Sequence, residues 1–478
     1  MVLRHLQHLI AACYLFLAAG VMADSLNLPE LGDSTSSVVS RQQENLLGQY
    51  WLRAFRQQTQ LADDPLLYTY LHHLIQQLAL ASPLDDKSFD LVVVDSKSFN
   101  AFAVPGNIIG INTGLFLHAD TEDQLASVIA HELAHLSQRH YARSVEQQKR
   151  RSAATLAGLL ASLLIMAAGG GDAGIAALTA TQAAAIDNQL RYSRSHEQEA
   201  DRIGIQTLAA AGLNPQAAAD MFQHMLSATR YRSDLKDFAF LLTHPLADSR
   251  VADASNQARQ YPQRQNRNSL QFQLMKARVY LYHNPRPDDA VTFFQQSASQ
   301  TDAARYGLAL ALLKAGRADQ AEPLITALLQ QQPRQTAYQL AQIDLLEQQQ
   351  KTDTAISLAE QQLALSPYNY AISMQLAGLY QRSNRPADAA QVLRQLAERN
   401  WPDTPDIWYL LAEVEGLAGH IAGVHTARAE YFLRVGAFDE AIRHLNLARP
   451  LLASDPQAAS RLDLRLQQAI NWKQNSPF

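Results

Sequence analysis

His131-Glu132-Leu133-Ala134-His135 lies inside the run Thr121 to Leu136, and the reading of that run decides what must surround it. Leu125, Val128, Ile129, Leu133 and Leu136 recur at helical spacing behind Thr121 and Gln124, which are placed as a capping box. The pattern predicts a half-buried amphipathic helix of about 20 residues. Two histidines four apart on a helix project from one face about one turn apart, so both imidazoles can reach one metal ion with Glu132 beside it. Neutral imidazole binds Zn²⁺ well, the metal lowers the pKa of a bound water to roughly 7, and a nearby carboxylate takes the proton as that water attacks a carbonyl. In that scheme His131 and His135 are ligands and Glu132 is the base.

The spacing is the HExxH signature of zinc peptidases. A catalytic zinc needs a third protein ligand and an open fourth position. Candidates lie in Ser195-His196-Glu197-Gln198-Glu199-Ala200-Asp201, which opens a helix running to Gly212 and Asn214-Pro215. Glu197 and Asp201 are four apart on one face, so one can bind zinc while the other orients a metal-bound imidazole through its free N–H. His196 and Glu199 point elsewhere. His244, fixed ahead of Pro245 in a later loop, has three candidate roles: filling the open zinc position and displacing water, donating to the oxyanion, or capping a helix near Pro245. Arg250 is a candidate partner of Asp201 or of the oxyanion.

Upstream, Gln42 to Leu80 has helical spacing, and strand signals follow at Phe89 to Val94, Ala101 to Val104 and Ile108 to Asn112, the last two joined by a Pro105-Gly106-Asn107 turn. Strands ahead of the metal helix predict a small sheet whose edge, Asn100, Ala101, Phe102 and Ala103, holds an extended peptide through its backbone. The apolar, small-residue stretch 153–186 reads as a hairpin of two short helices, a lid or a membrane-proximal element, hinged at Gly169-Gly170-Gly171. Met1 to Ala23 reads as a cleaved secretory signal: Arg4, then an apolar run too short to span a bilayer, then Val21-Met22-Ala23. The only cysteine, Cys13, lies within it.

A chain of 478 residues is too long for one core. A net charge of −5 and the absence of a basic stripe exclude nucleic acid as a partner and leave protein or a membrane surface. Around residue 265 Gln, Arg and Asn dominate and hydrophobic periodicity lapses, which marks a boundary between segments 24–265 and 266–478. Beyond it Asp319-Gln320-Ala321, Asp353-Thr354-Ala355 and Asp388-Ala389-Ala390 recur at steps of 34 and 35 residues, and Pro333, Pro367 and Pro402 keep the step. This is tetratricopeptide periodicity: each unit is a helix pair that buries its apolar face only by stacking on its neighbours. Three units are clear, with degenerate ones at Asp288-Asp289-Ala290 and Asp439-Glu440-Ala441. Ala309, Ala321 and Gly378 are placed for close helix approach, and Trp401, Trp408, Tyr409 and Tyr431 as repeat core rather than partner contacts. The predicted fold is mainly α, a metallopeptidase domain with a small β-sheet followed by an all-α solenoid.

HExxH followed by Glu-x-x-x-Asp, preceded by Asn100-Ala101-Phe102-Ala103-Val104-Pro105-Gly106 and followed by Thr243-His244-Pro245, resembles the zincin family that includes the CAAX prenyl proteases and the heat-shock protease HtpX. That resemblance implies one Zn²⁺ per chain held by His131, His135 and Glu197, with Glu132 as base and Asp201 behind the ligands. Asn107 stands where many relatives carry a second glycine. The secreted form with helical repeats implies a periplasmic endopeptidase with chaperone-like activity. Its partners would be unfolded or stalled outer-membrane proteins, the β-barrel assembly machinery reached through the repeats, and the membrane surface peripherally. The alternative is a non-proteolytic adaptor whose metal site is structural or silent.

Overall fold

The computed structural model describes residues 39–147, 194–231, 235–297, 301–399 and 403–475. Residues 1–23, expected from sequence to be a secretory signal, and the apolar stretch 153–186 lie outside these. Two helices open the described chain. α1 (Arg41–Gln58) starts in a reciprocal capping box between Ser40 and Gln43, and α2 (Pro65–Ala81) starts with Asp64 accepting from the Leu66 and Leu67 amides and Pro65 in its first turn. Strands β1 (Asp90–Val94), β2 (Ala101–Val104) and β3 (Ile108–Asn112) form one sheet in the order β1-β3-β2. β1 runs parallel to β3 and β2 antiparallel to it, so β2 is an edge, as its sequence predicted. Two left-handed residues make the β2–β3 turn, Gly106 (φ +86°) and Asn107 (φ +59°), and the Asn107 amide donates to the Asp86 and Ser88 carbonyls. Asparagine tolerates this conformation, which explains why the turn forms without a second glycine.

α3 (Gly114–His118) leads into α4 (Glu122–Ser137), which carries the histidine pair. Thr121 accepts from the Gln124 amide, while the Gln124 side chain accepts from Asp120 rather than Thr121. The helix has 16 residues, and all from Glu122 to His135 are buried, so it is a core helix and not the half-buried one expected. Its amphipathic reading failed because β2, α2, α6 and α7 pack around it. α5 (His140–Gln147) follows, then α6 (Arg194–Ala210) with the acidic motif, α7 (Gln216–Tyr231), a 3₁₀ turn (Leu235–Phe238), the short α8 (Phe240–Thr243) and α9 (Asp248–Ala258). α6 crosses α4 closely because Gly204 has no side chain there: a Cβ would sit 3.2 Å from the His131 amide nitrogen.

An extended strap then lies on α4, with Asp123 accepting from the Arg267 and Asn214 amides and Glu122 donating its amide to the Arg267 carbonyl. Helices follow in pairs: α10 (Leu270–His283) with α11 (Pro287–Gln295), α12 (Asp302–Lys314) with α13 (Ala318–Gln331), and α14 (Thr336–Gln348) with α15 (Thr352–Leu365). Then come α16 (Tyr370–Arg382) with α17 (Pro386–Ala397), α18 (Pro405–Leu417) with α19 (Ile421–Arg434), and α20 (Phe438–Leu451) with α21 (Pro456–Gln474). Asp319, Asp353 and Asp388 each sit in the first turn of a second helix, where the unpaired amides favour a negative charge. In four of the six pairs the turn between partners is left-handed, at Gly316, Gln350, Asn384 and Gly419. The third residue past each of these four first helices closes it: the Arg317, Lys351, Arg385 and His420 amides donate to the Leu312, Leu346, Tyr380 and Glu415 carbonyls at 2.8–2.9 Å.

Two expectations about the repeats are corrected. Gly378 is not a close-approach site, since only the Arg382 side chain lies near it; Gly307 is, with the Phe294 ring filling the place of its absent side chain. Tyr409 is 57% exposed and cannot be repeat core, while Trp408 is half-buried under Arg434. Trp401 and Pro402 lie outside the described residues. The array touches the metal-bearing part at both ends. Near its start Arg278 reaches Asp64 at 2.7 Å; at its end Tyr50 Oη donates to the Trp472 carbonyl and Arg53 stacks on the Trp472 ring. A single hydrophobic core runs from Leu66 of α2 to Ala427 of α19.

Candidate metal centre

α4 presents His131 and His135 on one side with their Nε2 atoms 3.0 Å apart. α6 brings Glu197 to 3.6 Å from His131 Nε2 and 3.5 Å from His135 Nε2. His244, at the end of α8, sets Nδ1 3.3 Å from His131 Nε2 and 3.0 Å from Glu197 Oε1. One donor atom from each of these four buried residues falls within 4.8 Å of the others. Glu132 is beside them, its Oε1 3.4 Å from His244 Nε2, and the Ala103 backbone of the edge strand favours its charged form. Lone pairs from imidazole and carboxylate crowd one dry point, an arrangement that repels unless a cation shares it. The nitrogen and oxygen donor set is the kind zinc takes.

The groups behind the cluster are placed with equal care. His131 Nδ1 is 3.0 Å from Asp201 Oδ1, and Arg250 grips both Asp201 oxygens at 2.8 and 2.7 Å while its Nη1 reaches Glu197 Oε2 at 2.9 Å. Arg250 therefore takes the Asp201 role foreseen for it, and it also donates to the Pro245 carbonyl, tying down the His244 loop. His244 caps no following helix: α9 begins at Asp248 without a side-chain cap, and the His244 amide closes α8 instead. The segment before it crosses the approach to the edge strand, with the Phe99 amide donating to the Asp237 carbonyl and the Phe240 amide to the Phe99 carbonyl. Phe102 and Ala103 are buried, the Phe102 ring lying against Trp51 and Phe55 of α1.

Burial penalises every charge here, and the neighbours decide the outcome. Burial alone would lower His131, but Asp201 and Glu197 push it up to about 10. His135 is held well below its ordinary value by burial and by the His131 charge. Burial raises Glu132 against the pull of His244 and His131; for Glu197 and Asp201 burial also acts upward, yet the histidines and Arg250 win and both lie low.

One group of residues escaped the sequence reading. Glu199 is not one of the four clustered residues, yet it accepts from Arg143 at 2.8 Å and lies 3.1 Å from His140 Nε2, and the His140 ring faces His135. Between them Arg139 adopts a left-handed conformation (φ +50°), costing about 1 kcal/mol or more for a residue with a side chain. Its guanidinium is held by Glu44 at 2.9 Å and the Val39 carbonyl at 2.7 Å. A histidine five positions beyond HExxH was the available signal.

Among known proteins, residues 65–258 match peptidase family M48, and residues 306–370 and 346–414 match tetratricopeptide repeats. The chain is 37% identical over 454 residues to a putative beta-barrel assembly-enhancing protease of Vibrio cholerae, covering 94% of this chain and 93% of that one. It is 34% identical over 466 residues to the beta-barrel assembly-enhancing protease of Escherichia coli, covering 96% and 95%. The mitochondrial metalloendopeptidase OMA1 of Saccharomyces cerevisiae is 26% identical over 240 residues, 45% of this chain and 64% of that one. Similarity that spans the metal cluster and the repeats alike, over nearly the full length of both chains, makes this a metalloendopeptidase of family M48 that belongs to the beta-barrel assembly-enhancing proteases.

Proposed function

We propose that this chain is a zinc endopeptidase of the periplasm that assists outer-membrane β-barrel assembly and degrades barrels that stall. The observation that carries the catalytic part is the convergence of His131, His135 and Glu197, from two separate helices, on one buried point with Glu132 alongside. Zinc held there would polarise the scissile carbonyl and supply an acidified water. Glu132 is the base: its Oε1 makes no hydrogen bond among the described residues and so keeps a lone pair for an incoming proton. Asp201 and Arg250 orient His131, and the β2 edge binds the extended substrate once the segment around Phe240 has moved off it. His244 holds the fourth position in the resting enzyme.

The barrel-assembly role is supported by the names of the full-length relatives, and the periplasmic location by the secretory reading of residues 1–23, which would be cleaved. We place the domain boundary near residue 265, where the strap leaves α9, and assign the repeats to stalled barrel proteins and their assembly machinery. Among the described residues no helix is long and apolar enough to cross a membrane. Glu132→Gln tests the catalytic reading: cleavage of an unfolded protein should fall about 10²- to 10⁴-fold with one zinc per chain retained by elemental analysis. A variant that cleaves like the wild type, or a wild type that binds no zinc, sinks it. Barrel assembly that survives in cells carrying only Glu132→Gln assigns that part of the work to the repeats; assembly unchanged by deleting the whole chain removes the role.

A further inference from the structure

The two metal-facing imidazoles are supported differently. His131 meets a carboxylate directly, whereas His135 Nδ1 faces another imidazole nitrogen, His140 Nδ1, at 2.8 Å. His140 Nε2 lies 3.1 Å from Glu199 Oε2, and Arg143 Nη1 donates to that same oxygen at 2.8 Å. His140 is fully buried, its ring stacked on His196 at 4.4 Å with only 10° between the planes.

This contact exists only because the helix breaks. In a continuous helix, residue 140 would lie about 140° around the axis from residue 135, nearly on the opposite face. The left-handed Arg139, clamped by Glu44, ends α4 and restarts the chain as α5 so that the His140 ring turns back onto His135.

We propose that His140 is a positioning residue for the metal centre, which fixes the tautomer of His135 and passes the charge of Glu199 to it. The proton placement follows from the order of atoms. With His135 Nε2 turned to the metal, its one proton sits on Nδ1 and is donated to the His140 Nδ1 lone pair. His140 then carries its own proton on Nε2 and donates it to Glu199, which Arg143 holds ionised. The line His135–His140–Glu199–Arg143 is thus the longer counterpart of His131–Asp201–Arg250, with an imidazole inserted between ligand and carboxylate. Outer partners of this type commonly set metal affinity by 10- to 100-fold.

The inference rests on the zinc reading above, and the wild-type arm of the experiment separates the two. Zinc affinity of the full chain is measured by competition with a chelator, alongside the melting temperature of the metal-free protein. His140→Phe, which keeps a ring but offers no acceptor, should bind zinc about 10- to 100-fold more weakly. His140→Gln, whose amide can accept from His135 and donate to Glu199, should recover most of that loss. If the phenylalanine variant does not fold, Glu199→Leu, at a carboxylate one-third exposed, takes its place and should weaken zinc in the same direction. In ¹⁵N-histidine spectra of the zinc-loaded wild type, His140 should be the Nε2–H tautomer. Wild-type affinity in His140→Phe or Glu199→Leu, a glutamine variant as weak as phenylalanine, or an Nδ1–H tautomer at His140 overturns the proposal. Failure of the wild type to bind zinc overturns the metal reading itself.

Discussion

His244 is buried among His131, Glu132 and Glu197 at the end of a short helix, so a shift of that segment would take it out of the cluster. Removing its ring opens the place a water would take. His244→Ala should therefore raise proteolysis, by about 5- to 150-fold for a closure worth 1–3 kcal/mol, measured as initial rate on an unfolded substrate. A fall in rate would assign His244 to oxyanion binding instead. The loop is held by Arg250 through the Pro245 carbonyl, and Arg250 also serves Asp201 and Glu197, so the His244 loop and the metal cluster share one guanidinium.

The metal centre is assembled by the crossing of α6 on α4, and Gly204 sets how near the two helices come. Gly204→Leu should push α6 outward, destabilise the protein by about 1–3 kcal/mol in denaturant unfolding, and weaken zinc because Glu197 is withdrawn from the imidazoles. Unchanged zinc affinity in that variant would mean α6 does not deliver a ligand. The i, i+4 histidines and the Glu197/Asp201 pair were legible because helical geometry alone puts each pair on one face. So were β2 and β3, whose turn chemistry brackets them. The His140 contact was not, because it depends on a left-handed arginine that Glu44 stabilises from 95 residues away. Periodicity gives no hint of such a break. The burial of α4 on all sides was hidden for a similar reason: its alanines and serine read as polar-face or neutral positions until four elements pack around them. In the repeats the left-handed turns at Gln350 and Asn384 pass unnoticed in sequence because only Gly316 and Gly419 are glycine.

Across the whole molecule a line of alternating charge joins the last repeat to the first helix: Arg465 to Glu430 at 2.6 Å, Glu430 to Arg434 at 2.6 Å, Arg434 to Asp403 at 2.6 Å, and the Asp403 carbonyl to Arg56 at 2.8 Å. Burial raises the Glu430 carboxyl, but Arg465 and Arg434 outweigh it and leave it below its ordinary 4.5. A carboxylate lowered on folding adds stability that is complete above its unfolded pKa and is lost as pH falls through the folded value. Glu430→Gln should therefore cost about 2 kcal/mol at pH 7, and its deficit against the wild type should shrink as pH drops below about 4.5, followed by thermal melting. A deficit independent of pH would show that the charge is idle. The core shared from Leu66 to Ala427 has an evolutionary corollary as well. Beads on a string can be traded between genes, whereas here the two halves share one packed interior, and a substitution on one side of the common face calls for an answering one on the other.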